Sequence, residues 1–170
     1  MNLSNLAEKS VTAKAVSPAL LFEVAARVFK GIAPGSCEMT SPEMALPLTG
    51  WQGVCDFRGP GVGSVGLRVS SGYAEILASA MAGDDVAANP EMQADAVGET
   101  VNILSSSLMA LLYGPRRHVQ IASPTVNGSV VTLPPSHVSG LVTLGVLIDS
   151  EHLVQVWLLV SQDSSVGGDS

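Results

Sequence analysis

The sequence predicts an α+β domain: an antiparallel sheet with helices packed on one face, laid out as two helix-then-strands halves. Three observations lead there. Two cap-and-proline pairs, Ser17-Pro18 and Asn89-Pro90, each open a helical stretch. Glycine-punctuated runs of β-type residues follow each stretch. Turns join most of those runs, and no βαβ alternation is seen.

The elements follow in order. Residues up to Val16 are polar or small and read as a loose lead-in. After Ser17-Pro18, the residues Leu20, Leu21, Val24 and Val28 recur at helical spacing, and Gly31 is the expected stop. Short β runs are expected at Cys37 to Thr40, Trp51 to Phe57 and Val62 to Val69. Arg58-Gly59-Pro60-Gly61 is a turn, so the last two should pair as an antiparallel hairpin. Gly63 and Gly66 within that hairpin point to close backbone approach or a bulge. Ser71 to Ala82 reads as a short helix that closes at Gly83-Asp84-Asp85. From Asn89-Pro90-Glu91 a long helix can run to Tyr113, where Gly114-Pro115 ends it. Strands are expected again at His118 to Ala122, Asn127 to Leu133, Gly140 to Ile148 and Leu153 to Val160. Asn127-Gly128 and Asp149-Ser150-Glu151 are the expected turns. Residues 17–160 therefore form one expected domain, and 161–170 a frayed tail.

Composition narrows the function. Eight basic residues against fifteen acidic ones give a net charge of -7. Binders of nucleic acid or anionic membrane need a cationic footprint, so neither partner is expected. Charged residues are 14% of the chain and hydrophobic ones 46%. Ordinary soluble domains carry roughly 25% charged residues. A second subunit is expected to cover part of the apolar surface, and the apolar strands LVTLGVLI and LVQVWLLV fit a homodimer. No uninterrupted apolar run has the length of a bilayer span. Met1 to Ser10 lacks a signal-type apolar run, and Cys37 and Cys55 read as free thiols, so a cytoplasmic setting is expected. His118, His137 and His152 are scattered, with no HExxH and no Cys/His pairing, so no metal site is expected.

The long helix carries the most informative pattern, Asp95-Ala-Val-Gly-Glu99-Thr-Val-Asn102. At about 100° per residue, Asp95, Glu99, Asn102 and Ser106 fall within an arc of about 60°. The remainder of the helix is mostly apolar, and Met92 and Met109 bracket the stripe on the same face. An amphipathic helix needs one wet side, and that alone would account for such a stripe. Two features argue for more. The stripe holds only short side chains, without Lys or Arg. The flanking methionines suit a surface that packs against something.

With its D-x-x-x-E-x-x-N on a helix, the chain resembles the CheC/CheX phosphatases of bacterial chemotaxis. Gly61 to Gly83, GVGSVGLRVSSGYAEILASAMAG, resembles that family's glycine-punctuated strand and short Ala-rich helix. Ile121 to Gly128, IASPTVNG, resembles its Ser-Pro-Thr-Val stretch. The resemblance runs from about Ser17 to Val160. It implies the CheC/CheX fold and dephosphorylation of a phospho-aspartyl response regulator of the CheY type. Phosphoryl transfer to water needs a positioned nucleophile plus charge stabilisation. The regulator holds the Mg²⁺ and a lysine, so the resemblance implies no cofactor of this chain's own. Asn102 is the implied water-orienting group, because a carboxamide can donate and accept without bringing negative charge to a phosphate. Glu99 is implied to pair with the regulator's lysine. Asp95 is a supporting contact, and Ser106, Met92 and Met109 are further partner-facing candidates.

Two departures from the family matter. In the first helix Glu23 is followed three residues later by Ala26, and Ala19 lies four residues before it. That second copy of the motif is degenerate, so one site is expected, as in the CheX branch. Ser105-Ser106-Ser107 stands where relatives often have a glycine, which alters how closely a regulator approaches. An alternative is a non-catalytic binding or self-assembly module of the same fold, like the middle domain of flagellar switch proteins. Arg116-Arg117-His118 either guides an acidic regulator surface or caps the long helix. Asp84-Asp85 reads as solvated turn residues. Trp51 and Trp157 read as core or subunit-interface residues. Gly59-x-Gly61-x-Gly63 joins two strands rather than a strand to a helix, which excludes a phosphate loop.

Overall fold

The computed structural model describes residues 16–42, 49–114, 118–128 and 138–161. Most of the expected lead-in and tail, Arg116-Arg117, His137, and the part of the expected strand beyond Gly128 lie outside the described residues. The elements run α1 (Pro18–Ile32), β1 (Cys37–Thr40), β2 (Gly50–Arg58), β3 (Val62–Ser70), α2 (Ser71–Ala82), a 3₁₀ turn (Asp84–Val86) and α3 (Pro90–Tyr113). They continue β4 (Gln120–Ile121), β5 (Thr125–Gly128), β6 (Leu141–Ile148) and β7 (His152–Ser161).

The strands form a seven-stranded antiparallel sheet in the order β1-β6-β7-β3-β2-β4, with β5 also on β2. The predicted hairpin is present, with Arg58 opposite Val62. The pairing exposes a crosswise plan. Each half supplies a hairpin (β2-β3, β6-β7) and an edge strand, and each edge strand completes the other half's hairpin: β1 lies on β6, and β4 and β5 on β2. The helices cross over as well, α1 meeting β6 and α3 meeting β2.

The helices all pack on one face of the sheet. Strand residues of a single parity (Cys55, Phe57, Val65, Leu67, Val69, Leu144, Val146, Val154, Val156, Leu158) share one core with Leu21, Phe29, Tyr73, Leu77, Val101, Leu104 and Leu108. Trp157 and Gln155 are buried on the opposite face, where the Gln155 amide donates to the Pro42 carbonyl. The last two strands are therefore apolar mainly because they bury side chains within their own chain. The composition of α3 would also suit a bilayer span, yet in this fold it is the packed core helix.

Local chemistry fixes the ends of the helices. Ser17, Ser70 and Asn89 cap α1, α2 and α3 by accepting from Leu20, Tyr73 and Glu91 N–H. Gly83 and Gly114, with φ of 98° and 79°, end α2 and α3 as predicted. Gly31 does not end α1. The helix passes through it to Ile32 and stops at Ala33, whose extended backbone (φ -128°, ψ 106°) is forced by the following Pro34.

Gly63 and Gly66 serve close approach, not a bulge, because the β3–β7 register is unbroken from Val62 to Val69. Asn127-Gly128 is not a turn. It pairs within β5 opposite Gln52 and Trp51, and Gly128 leaves room for the Trp51 ring. Sheet pairing outweighs the local turn preference there. The strand expected at 118–122 shrinks to β4. Three residues, Ala122 to Pro124, separate β4 from β5, opposite only Cys55 and Asp56 of β2, so the edge bulges. The turn at Asp149-Ser150 is as expected, with φ of 50° and 58°. The Asp149 carboxylate also accepts from Ser36 N–H (2.7 Å), tying the start of β1 to the β6–β7 turn.

Candidate functional site

The exposed stripe of α3 is the candidate site. Asp95, Glu99 and Ser106 are exposed, and Asn102 is half-buried at the same surface. The opposite side of the helix (Val97, Val101, Leu104, Leu108) is sealed in the core, so the polar side chains are held outward by burial behind them. Among the described residues, no hydrogen bond or ion pair engages the side chains of Asp95, Glu99 or Asn102. Asn102 lies three positions after Glu99, which places the two one above the other on a helix.

Two troughs flank this stripe. One, of about 510 Å³, lies against the bulged edge and is lined by Ala94, Asp95, Gly98, Glu99, Pro124 and Val126. A β-carbon at Gly98 would stand 3.3 Å from Val126 Cγ2 and 3.5 Å from Pro124 Cγ, so this glycine lets the edge strand close on the helix. The other trough, of about 150 Å³, opens toward α2 and includes Ala78, Met81 and Met92 beside the same two carboxylates.

Met92 is half-buried at its rim. Met109 does not belong to the site: it is 3% exposed and lies in the core. Residues four apart drift by about 40° around a helix. The exposed line Asp95, Glu99, Ser106, Ala110, Leu111 therefore turns away from Met109 toward the last turn. Of the serine triplet, only Ser106 is exposed. Ser105 is buried and donates to the Val101 carbonyl (2.7 Å). Behind the stripe, burial pushes the Cys55 thiol up from its ordinary value, the Ser105 hydroxyl opposes this, and Asp56 and Glu99 add to it. It is a packed thiol, not a nucleophile at neutral pH.

The N-terminal half of α3 is held by Gln93, which accepts from the Trp51 indole N–H (3.0 Å) and donates to the Ala87 carbonyl (2.9 Å). Trp51 is thus an anchor of the site's scaffold, whereas Trp157 is a buried residue of the far sheet face. The degenerate copy on α1 offers no amide. Glu23 pairs with Arg27 at 3.0 Å, and Ala26 is buried. Among the described residues, no group of three or more His, Cys, Asp or Glu side chains could hold a metal ion.

Sequence reasoning missed Gly98, Pro124, Val126, Ala78 and Met81 as walls of the site. One signal was available. A glycine inside an otherwise strong helix asks for a packing reason, and Gly98 has one.

Comparison with known proteins gives three findings. The family model for the chemotaxis phosphatase CheX matches residues 51–134, a stretch that contains all of α3. None of the curated proteins matches the chain. Among solved structures, the chain is similar to a chemotaxis protein CheX from Desulfovibrio desulfuricans (TM-score 0.65, 22% identity, 86% of this chain, 100% of that one). It is also similar to CheX from Vibrio vulnificus (TM-score 0.70, 17% identity, 88% and 97% covered). A third is the Borrelia burgdorferi CheX-CheY-BeF3-Mg²⁺ complex (TM-score 0.65, 18% identity, 88% and 99% covered). At these identities the structural likeness is one of fold.

Proposed function

The chain belongs to the CheC/CheX family, on its CheX branch, and from that premise we propose that it hydrolyses the aspartyl phosphate of a CheY-like response regulator. One observation carries this reading: Glu99 and Asn102 stand one turn apart on an exposed stripe, their side chains unengaged among the described residues, with open troughs on either side of Glu99.

The chemistry follows from the residue types. Asn102 enters the regulator's site and orients a water in line with the acyl phosphate, its amide accepting from and donating to that water. The water oxygen bonds to phosphorus, the bond from phosphorus to the regulator's aspartate oxygen breaks, and inorganic phosphate leaves. Glu99 forms a charge-assisted pair with the regulator's lysine and fixes the register. Asp95 supports docking from one turn earlier, and Ser106 borders the same approach. The Mg²⁺ belongs to the regulator, as the Borrelia complex of CheX with CheY, BeF3 and Mg²⁺ supports. This chain needs no covalent intermediate and has one site.

The working setting is the cytoplasm. The low charge fraction and the edge strand β1, with Met39 53% exposed, support a homodimer, and light scattering at micromolar concentration tests it.

The decisive experiment follows loss of label from a phosphorylated CheY-type regulator in Mg²⁺, with wild type and Asn102→Ala. Wild type is expected to accelerate the decay and the variant to abolish the acceleration. Decay at the regulator's own rate with both proteins would overturn the proposal in favour of a non-catalytic binding module.

A further inference from the structure

The trough between α2 and α3 has a character that acid–amide chemistry does not require. Its walls are Ala78, Met81 and Met92, and its open rim is Asp95 and Glu99. Met81 is 37% exposed in the last turn of α2, whose inner face (Tyr73, Ala74, Leu77, Ala78) is buried, and unlike the equally exposed Ile76 it lines this trough. A volume of about 150 Å³ is the size that elsewhere holds one benzene-sized group. Methionine walls adapt to the shape that enters.

We propose that this notch is a specificity pocket for the regulator: it takes one apolar side chain presented next to the cation that pairs with Glu99. The proposal rests on the phosphatase reading above and adds the class of surface that is recognised. Charge fixes the occupant. A rim of two carboxylates repels an acidic segment and attracts a basic one. An apolar floor beside that rim then selects, among basic segments, those carrying an apolar neighbour. A basic surface without the apolar side chain gains only the exposed ion pair, which contributes little. The notch therefore discriminates between regulators that share the same lysine and Mg²⁺ chemistry. It acts on binding, because Asn102 does not line it.

The test uses the full chain and a CheY-type regulator activated with beryllofluoride and Mg²⁺. Binding is measured by calorimetry, and KM and kcat by label release, for wild type, Met81→Gln and Met81→Leu. Met81→Gln is expected to weaken binding about tenfold, the equivalent of losing one well-buried apolar contact. The loss should fall on KM, and Met81→Leu should restore affinity. Met92→Gln repeats the test from the other wall if Met81→Gln melts early by circular dichroism. An active wild type whose glutamine variants bind as tightly as it does would overturn the notch and leave the phosphatase reading standing. A wild type that neither binds nor dephosphorylates any CheY-type regulator would overturn both.

Discussion

The indole of Trp157 lies across the α-carbon of Gly66 on the neighbouring strand, so near that a β-carbon there would stand 2.0 Å from Cζ2. This contact sits on the sheet face away from the helices, and the 2% exposure of Trp157 depends on it. Gly66→Ala must push a rigid ring, not a flexible chain end. Overpacking of this kind costs about 1–3 kcal/mol and occasionally more. A loss at the upper end of that range is expected in urea melts, with Trp157→Leu in the same background recovering part of it.

In its proposed role Asn102 trades stability for function. Alanine is the better helix former by about 0.5 kcal/mol, and among the described residues the Asn102 side chain makes no hydrogen bond that its removal would break. Asn102→Ala is therefore expected to melt at or slightly above the wild-type temperature while dephosphorylation falls by about 10²-fold or more. Thermal melts and label release on one preparation check both halves. Glu99→Gln should instead weaken regulator binding and flatten its dependence on salt, because an ion pair has become a neutral contact.

Gln93 joins the start of α3 to the Trp51 indole and to the Ala87 carbonyl through two part-buried hydrogen bonds. Gln93→Ala leaves the indole N–H and the Ala87 carbonyl without these partners. An orphaned group costs about 1–3 kcal/mol when fully buried, and these part-buried ones fall toward the low end. A loss within that range is expected in denaturant melts, along with a changed Trp51 fluorescence spectrum in the native state.

Tyr73 carries a buried hydroxyl with no hydrogen-bond partner among the described residues. Burial, with smaller contributions from Cys37 and Asp149, pushes its pKa well above the ordinary value of 10.0. Burial raises Tyr113, Cys37 and Cys55 too. The unfolded chain releases these protons first, so the folded state binds more of them and stability falls as pH rises. The contribution is complete below about pH 8.5 and drains away through pH 10 and beyond. Tyr73→Phe keeps the edge-on contact with the Phe29 ring, seen at a centroid distance of 6.1 Å. It is expected to equal or exceed wild type at pH 7 and to lose less stability between pH 8 and 10.5, read from melting temperatures across the series.

The legible parts of this fold were those with local causes. Both ends of α2 and α3 follow from capping side chains and two glycines with positive φ. The acid–amide stripe was legible for the same reason, since helical periodicity alone puts Asp95, Glu99 and Asn102 on one face. Met109 was misread because periodicity gives a side chain's angle but not what packs over it, and at the end of α3 the exposed side lies at Ala110 and Leu111. The walls of the site were opaque: Pro124 meets Gly98 only after a bulged edge strand has docked on β2, and Met81 meets Met92 only once α2 has packed on α3. The pairing of Cys37 with Ile148 across most of the chain leaves no trace in either segment.

The crosswise exchange of edge strands and helices means that neither half of the chain is a self-sufficient folding unit. A fragment cut after α2 would keep one hairpin but lose the strands that flank it on both sides, and would leave β1 with nothing to bind. Closing such distant contacts first is slow. It also ties assembly together, so the helix presenting Glu99 is seated by α1 and β2 of the other half as well as by β5 of its own.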